Sequence, residues 1–302
     1  MTDNSELTGQ ITQSLSGYYD VRTAAGQDFR TRARGNLRHQ KQKPVVGDRV
    51  VFTEPDDTDH LGYLLRILPR TNVLSRPPVA NIDLAVVVTA AKEPDLQTSL
   101  LDRQLLSLEQ QHIQPVIYLT KSDLLTSSEW TALQPLIAGY RQIGYPVLAP
   151  RPPFSAAALA TLVGYFEHRL VVLTGQTGAG KSTLLNHLNQ DLALATREIS
   201  TALNRGKHTT RRVALYPVGA GLVADTPGFS AIDLATVDKT ELPQLFPEFV
   251  RFAPQCRFRS CLHLQEPGCA VKAAVAAGAI MASRYANYQQ LQSEAAERKP
   301  RY

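Results

Sequence analysis

Hydrophobic and polar positions change their period twice along the chain. Up to about residue 72, short alternating stretches recur: Gly17–Val21, Phe29–Arg34, Asp48–Thr53 and Tyr63–Leu68. Turn residues separate them, at Ala25-Gly26, Pro44, Gly47 and Pro55-Asp56-Asp57. Alternation puts every second side chain on one face, as in half-buried strands. About five such strands fit a small barrel, either an OB-fold or an SH3-like barrel, which would read almost the same. From about 73 to 232 the pattern becomes α/β. Asp83–Thr89, Pro115–Thr120 and Leu170–Thr174 are apolar and β-rich, and Thr98–Gln111 and Glu129–Gln142 read as helices between them. Strands alternating with helices predict a parallel sheet covered on both faces. Arg211–Val218 and Gly221–Ala224 flank Gly219-Ala220 and predict a β-hairpin. The remainder is mainly helical: a proline-punctuated acidic stretch from Asp238 to Glu248, a cysteine cluster, and an alanine-rich helical run from about Ala270 to Glu297. The expected division is 1–72, 73–232 and 233–302.

Length and composition leave this picture standing and narrow the partners. With 302 residues, 43% of them hydrophobic, the chain can bury more than one core. Its net charge of +5 and sequence pI of about 9.1 suit a polyanionic partner such as nucleic acid, or plain solubility. Between residues 30 and 43 stand Arg30, Arg32, Arg34, Arg38, Lys41 and Lys43, with no acid among them. On a strand, Arg30, Arg32 and Arg34 share one face, where a polyanion would relieve their repulsion. The same row would also serve as a solvated basic edge. Met1–Gln10 has no signal-peptide core, and the apolar run Leu84–Ala91 is far too short to span a membrane. A cytoplasmic protein without membrane contact is expected.

The strongest motif is Gly175-Gln176-Thr177-Gly178-Ala179-Gly180-Lys181-Ser182, directly after the apolar strand Leu170–Thr174 and directly before a helix from Thr183 to Leu194. This is the phosphate-loop pattern. Its glycines let backbone N–H groups turn inward around phosphates, and the helix N-terminus adds its positive dipole end. Lys181 would neutralise the β- and γ-phosphates and Ser182 would ligate Mg²⁺. Downstream, Asp225-Thr226-Pro227-Gly228 follows a β-rich stretch. Asp225 would hold Mg²⁺ through water and the Gly228 N–H would face the γ-phosphate, making the next segment a switch. Between them lies Arg205-Gly206-Lys207-His208-Thr209-Thr210-Arg211-Arg212, where either Thr209 or Thr210 would place a hydroxyl on Mg²⁺.

Base choice rests on Thr120-Lys121-Ser122-Asp123 after the strand Pro115–Leu119. A carboxylate at Asp123 accepts from both N1–H and the exocyclic amine of guanine, a donor pair that adenine lacks. Lys121 would lie along the base. Many guanine sites carry Asn where Thr120 stands. The position at the C-terminal end of a parallel strand is where such sheets bind ligands. Since this motif precedes the phosphate loop, the same site forms only if the fold is circularly permuted.

Cys256-x4-Cys261-x-His263-x5-Cys269 uses all three cysteines of the chain. The odd count argues against a disulfide framework, and three thiolates with one imidazole are a tetrahedral zinc set. Four protein ligands close the shell, so the zinc would be structural. Arg251, Arg257 and Arg259 make this part a second candidate RNA contact.

These motifs resemble the ribosome-small-subunit-dependent GTPase A family over essentially the whole chain. The resemblance includes Arg32-Ala33-Arg34-Gly35, Val46-Gly47-Asp48-Arg49-Val50, the connector Arg76-Pro77-Pro78-Val79-Ala80-Asn81-Ile82-Asp83, Thr120-Lys121-Ser122-Asp123, the phosphate loop through Thr183, Gly206-Lys207-His208-Thr209-Thr210, Asp225-Thr226-Pro227-Gly228-Phe229 and the zinc cluster. It implies an N-terminal OB-fold barrel, a circularly permuted α/β P-loop GTPase domain and a small C-terminal zinc-binding domain. It further implies GTP or GDP with Mg²⁺, one structural Zn²⁺, and the 30S subunit with its 16S rRNA as partner of a monomer. Hydrolysis would be faster on the subunit, late in its maturation. The position after Asp-x-x-Gly, where many GTPases carry glutamine to orient water, holds Phe229. His208 is the candidate in its place, as in the family's matching motif. The second base-contacting segment has no clean match: Val147-Leu148-Ala149-Pro150-Arg151 stands near that place. Two rivals remain, a P-loop kinase or ATPase and a guanine-nucleotide-binding RNA scaffold with little turnover.

Overall fold

The first barrel strand is one that the alternation missed. The computed structural model describes residues 6–33, 37, 43–54, 61–75, 78–195, 213–225 and 237–297. In chain order the strands β1 (Glu6–Leu15), β2 (Tyr18–Arg22), β3 (Asp28–Ala33), β4 (Arg49–Thr53) and β5 (Gly62–Ile67) come first. Next are β6 (Val73–Ser75), β7 (Pro78–Ala80), β8 (Leu84–Ala90), helix α1 (Thr98–Gln110), β9 (Gln114–Thr120), α2 (Ser127–Ile143) and β10 (Val147–Leu148). Then follow α3 (Ala156–Gly164), β11 (Leu170–Thr174), α4 (Lys181–Ala195), β12 (Ala214–Val218) and β13 (Gly221–Asp225), and last α5 (Pro247–Phe252), α6 (Ala270–Ala276) and α7 (Ala282–Glu297). Two compact units result: one of Met1–Val86, Ala156–Thr174 and Lys181–Phe229, the other of Val87–Ser155, Gly175–Gly180 and Ser230–Tyr302.

In the first unit β1 is long enough to serve two partners. Its start pairs with β4 (Glu6 opposite Thr53) and its end with β2 (Leu15 opposite Tyr18), both antiparallel. With β2–β3, the parallel β3–β5 pair and β5–β4, the five strands close on themselves in the order β1-β2-β3-β5-β4. This strand order, with its parallel β3–β5 pair and β1 paired to β4, gives the OB-type barrel rather than the SH3-like alternative. Ile11, Val21, Val50, Phe52 and Leu64 fill it, with Thr31 donating its hydroxyl to the Tyr19 carbonyl. Buried Asp48 is gripped by Arg70 through Nε at 2.7 Å and Nη2 at 2.8 Å, and accepts from Val45 N–H. Asn81 accepts from Thr71 N–H and donates to the Gly47 carbonyl. The Val-Gly-Asp and Asn-Ile-Asp motifs thus tie the barrel to the chain leaving it.

The same unit holds the parallel pair β11–β13 and the antiparallel β12–β13 hairpin that the sequence predicts across Gly219-Ala220. In the second unit β9 and β10 are parallel, with α1 and α2 as their neighbours in the chain. Strand β8 has Leu84 to Val88 fully buried, as a strand covered on both faces requires. Thr126 starts α2 with a reciprocal capping box to Glu129.

The alanine-rich run is two helices, not one. Gly278, at φ +74°, takes the left-handed conformation just past α6 and ends it. Phe246, Phe249, Val271 and Tyr288 form the core beneath, completed by Leu106 of α1. Among the described residues no helix is long and apolar enough to cross a membrane.

Candidate nucleotide and metal sites

The phosphate loop bends where its glycines allow. Gly175 has φ +140°, and a Cβ there would lie 2.0 Å from the Val88 carbonyl oxygen. Only a residue without a side chain tolerates both the angle and the approach. Gly178 and Gly180 are also at positive φ, +81° and +92°. Buried Ala179 donates its N–H to the Gln176 carbonyl at 3.1 Å, closing the turn. Thr177 is exposed. The chain then enters α4 with half-buried Lys181, whose pKa burial lowers, and with Ser182 and Thr183 exposed. Gly175→Ala should weaken nucleotide binding by roughly 1–3 kcal/mol of imposed backbone strain. Titration with a fluorescent GDP measures it; an unchanged Kd would mean that the loop yields without cost.

Within the second unit the base motif is bonded directly to this loop. Thr120 is fully buried, and its Oγ1 donates to the Ala179 carbonyl at 2.5 Å. A residue standing where asparagine is usual thus holds the two motifs together, a role that sequence alone did not reveal. Lys121 sits at φ +54° and its Nζ donates to the Glu93 carbonyl. Buried Ser122 donates Oγ to the Pro150 carbonyl at 2.5 Å, and the Tyr118 hydroxyl donates to the Pro153 carbonyl. Burial pushes Tyr118 up to about 12. Asp123 lies in a 3₁₀ turn, Ser122–Leu124, and is exposed. The structure therefore brings Thr120, Lys121 and Ser122 against named partners and leaves Asp123 open to solvent.

Strand β13 ends at Asp225. Gly228 and its neighbours Thr226, Pro227 and Phe229 lie outside the described residues, as do His208, Thr209, Thr210, Arg34, Arg38, Lys41, Arg76 and Pro77. On the barrel, Arg30 and Arg32 are exposed together on β3, their guanidinium carbons 4.8 and 4.9 Å from the centre of the Tyr18 ring. The shared face expected from strand spacing is therefore present at these two positions.

The ligand atoms of Cys256, Cys261, His263 and Cys269 all lie within 4.8 Å of one another. His263 Nδ1 is 3.4 Å from Cys269 Sγ and 3.7 Å from Cys256 Sγ, and those two sulfurs are 4.0 Å apart. A tetrahedral shell with zinc–sulfur bonds of about 2.3 Å places neighbouring sulfurs roughly 3.8 Å apart. The donor set and spacing therefore fit zinc. The thiols are unpaired as disulfides. Burial lowers His263, favouring the neutral imidazole that a metal needs. Tyr285 donates its hydroxyl to the His263 carbonyl at 2.7 Å and Tyr288 to the Leu262 carbonyl, so α7 holds the ligand loop.

Sequence profiles match at this point. The RsgA N-terminal domain profile covers residues 8–64 and the RsgA GTPase profile residues 67–235. A curated relative from Limosilactobacillus fermentum, named small ribosomal subunit biogenesis GTPase RsgA, is 57% identical over 97% of this chain and 98% of its own. One of the same name from Enterococcus faecalis is 52% identical, over 98% of each chain. The crystal structure of YloQ, a circularly permuted GTPase, superposes with a TM-score of 0.84 at 37% identity, covering 100% of this chain and 99% of that one. YjeQ from Thermotoga maritima gives 0.84 at 30% identity, covering 98% and 100%.

Proposed function

The chain belongs to the RsgA GTPase family, and from this we propose that it hydrolyses GTP to GDP and phosphate on the small (30S) ribosomal subunit, late in that subunit's maturation. The observation that carries the reading is the Thr120–Ala179 hydrogen bond, which joins a guanine motif to a phosphate loop that follows it in the chain.

In this reading Gly175 to Thr183 surround the phosphates, Lys181 neutralises the β- and γ-oxygens, and Ser182 holds Mg²⁺ with Asp225 behind it. The cation, when bound, offsets charge developing between the β- and γ-phosphates. Asp123 accepts the two guanine donors, and Thr120, Lys121 and Ser122 keep it in place. Thr209 or Thr210 and the Gly228 N–H sense the γ-phosphate. His208 orients the attacking water in the absence of a glutamine at Phe229. Cys256, Cys261, His263 and Cys269 hold one structural zinc. Arg30 and Arg32 meet 16S rRNA, and the protein works as a cytoplasmic monomer. We keep 1–72, 73–232 and 233–302 as the working division into barrel, GTPase and zinc parts.

Phosphate release from GTP and from ATP, each with and without purified 30S subunits, tests this. GTP turnover is expected to rise with subunits, while ATP turnover stays at background. His208→Ala should remove most of the stimulated rate, about 10²–10⁴-fold for a positioned general base. Stimulation unaffected by that change would end the role of His208. No stimulation at all would leave a guanine-nucleotide-binding RNA scaffold.

A further inference from the structure

The zinc-ligand loop carries an apolar ring where solvent would be expected. Residues 257–260, between ligands Cys256 and Cys261, are all exposed. Phe258 is 42% exposed, one of few large apolar side chains so placed among the described residues. The tip is held in a fixed shape. Arg257 N–H donates to the Gly268 carbonyl at 3.0 Å and Cys261 N–H donates to the Phe258 carbonyl at 3.3 Å. The Arg257 guanidinium lies 5.4 Å from the Phe258 ring centre, and Arg259 follows, exposed. Arg251 on α5 is exposed as well. The one acid in this stretch, Glu266, is turned to the backbone, accepting from Leu262 N–H at 2.7 Å and Leu264 N–H at 2.8 Å. An aromatic ring on a rigid tip, flanked by uncompensated guanidiniums, combines the two features that bind unpaired nucleotides: a stacking face and phosphate counter-charges. A duplex has no base face free to meet such a ring.

We propose that the 257–259 tip is a stacking platform for one unpaired RNA base, with Phe258 against the base and Arg257 and Arg259 on the flanking phosphates. The small-subunit reading above supplies the source of that RNA, and the proposal deepens it.

The test uses the full zinc-loaded chain carrying Arg30→Ala and Arg32→Ala, which silence the barrel face. The probe is an unstructured RNA oligonucleotide containing 2-aminopurine. Binding should quench the probe, and Phe258→Ala should abolish the quench and weaken binding about five- to 150-fold. Phe258→Trp should keep both. Arg257→Ala with Arg259→Ala should lower the slope of log K against log salt by about 1.4. Zinc content and basal GTP turnover without subunits should be unchanged in each variant. Unchanged binding by Phe258→Ala overturns the proposal. Recovery by Phe258→Leu also overturns it, since leucine has no π-face to stack on a base and apolar bulk alone would then carry the binding. So does equal binding of a duplex of the same sequence. Phe258-dependent oligonucleotide binding, together with failure of the chain with its barrel arginines intact to bind purified subunits, would uphold the tip and refute the small-subunit reading instead.

Discussion

Arg284→Met is expected to lower unfolding stability by about 3–5 kcal/mol, although the change lies far along the chain from every nucleotide motif. Arg284 is fully buried on α7. Its Nη1 donates to Asp102 of α1 at 2.8 Å, and its Nε and Nη2 donate to Glu248 of α5 at 2.7 and 3.1 Å. Asp102 and Glu248 are buried too. Burial alone would lower the arginine pKa, but the two carboxylates raise it well above its ordinary value. Two acids on one cation leave one excess negative charge. Tyr140 and Asn287 share it, donating to Asp102 at 2.7 and 2.6 Å. Methionine fills most of the volume but removes the charge, leaving both carboxylates uncompensated in a dry site. Arg284→Lys should fail as well, since an ammonium cannot reproduce the fork. Trp130, the single tryptophan, sits on α2 in the same compact unit, so its fluorescence reports this unfolding. Urea midpoints at fixed zinc and nucleotide measure the loss. A loss under about 1 kcal/mol would mean that water reaches the triad.

That network also marks the limit of what the sequence displays. Contiguous chemistry is legible: the phosphate loop, Thr120 to Asp123 and the cysteine cluster each fit within a few turns of chain, and their residue types admit few other uses. The buried strands β8, β9 and β11 are legible for the same reason, as unbroken apolar runs. What depends on a distant partner is not. Arg284 reads as one more surface arginine in an alanine-rich helix until Asp102, 182 positions away, is placed beside it. Thr120 reads as a departure from asparagine until its hydroxyl is seen on Ala179, 59 positions on. Strand β1 escapes notice because polar residues occupy most of Glu6–Leu15, and only pairing with both β2 and β4 shows why it must be extended. That pairing also decides between the two barrels. The break at Gly278 was visible as a glycine, but alanines on both sides masked it, since their propensity favours continuing the helix. In each case the missing information is a tertiary contact, not a local preference.

Asp123→Asn is expected to weaken GTP and GDP binding by about two to four orders of magnitude, the combined contribution of two hydrogen bonds to a charged acceptor. Guanine offers two parallel donors, N1–H and the exocyclic amine. A carboxylate accepts both. An asparagine amide accepts one and turns its own NH₂ toward the other, donor against donor. Xanthine carries a carbonyl where guanine has the amine, so the same amide then finds an acceptor. The variant should therefore bind xanthosine nucleotides better than guanosine nucleotides, with no gain for ATP. The substitution is conservative in shape and exposed, on a turn whose neighbours Thr120 and Ser122 carry the structural bonds to Ala179 and Pro150, so folding should be intact. Subunit-stimulated phosphate release in xanthosine triphosphate supplies the decisive arm. Recovery there would show that the phosphate loop, the switch and the ribosome contact all work and that only base recognition has moved. Unchanged GTP affinity would remove Asp123 from the base site. Equal loss of every nucleotide would mean that the carboxylate supports the phosphate loop rather than the purine.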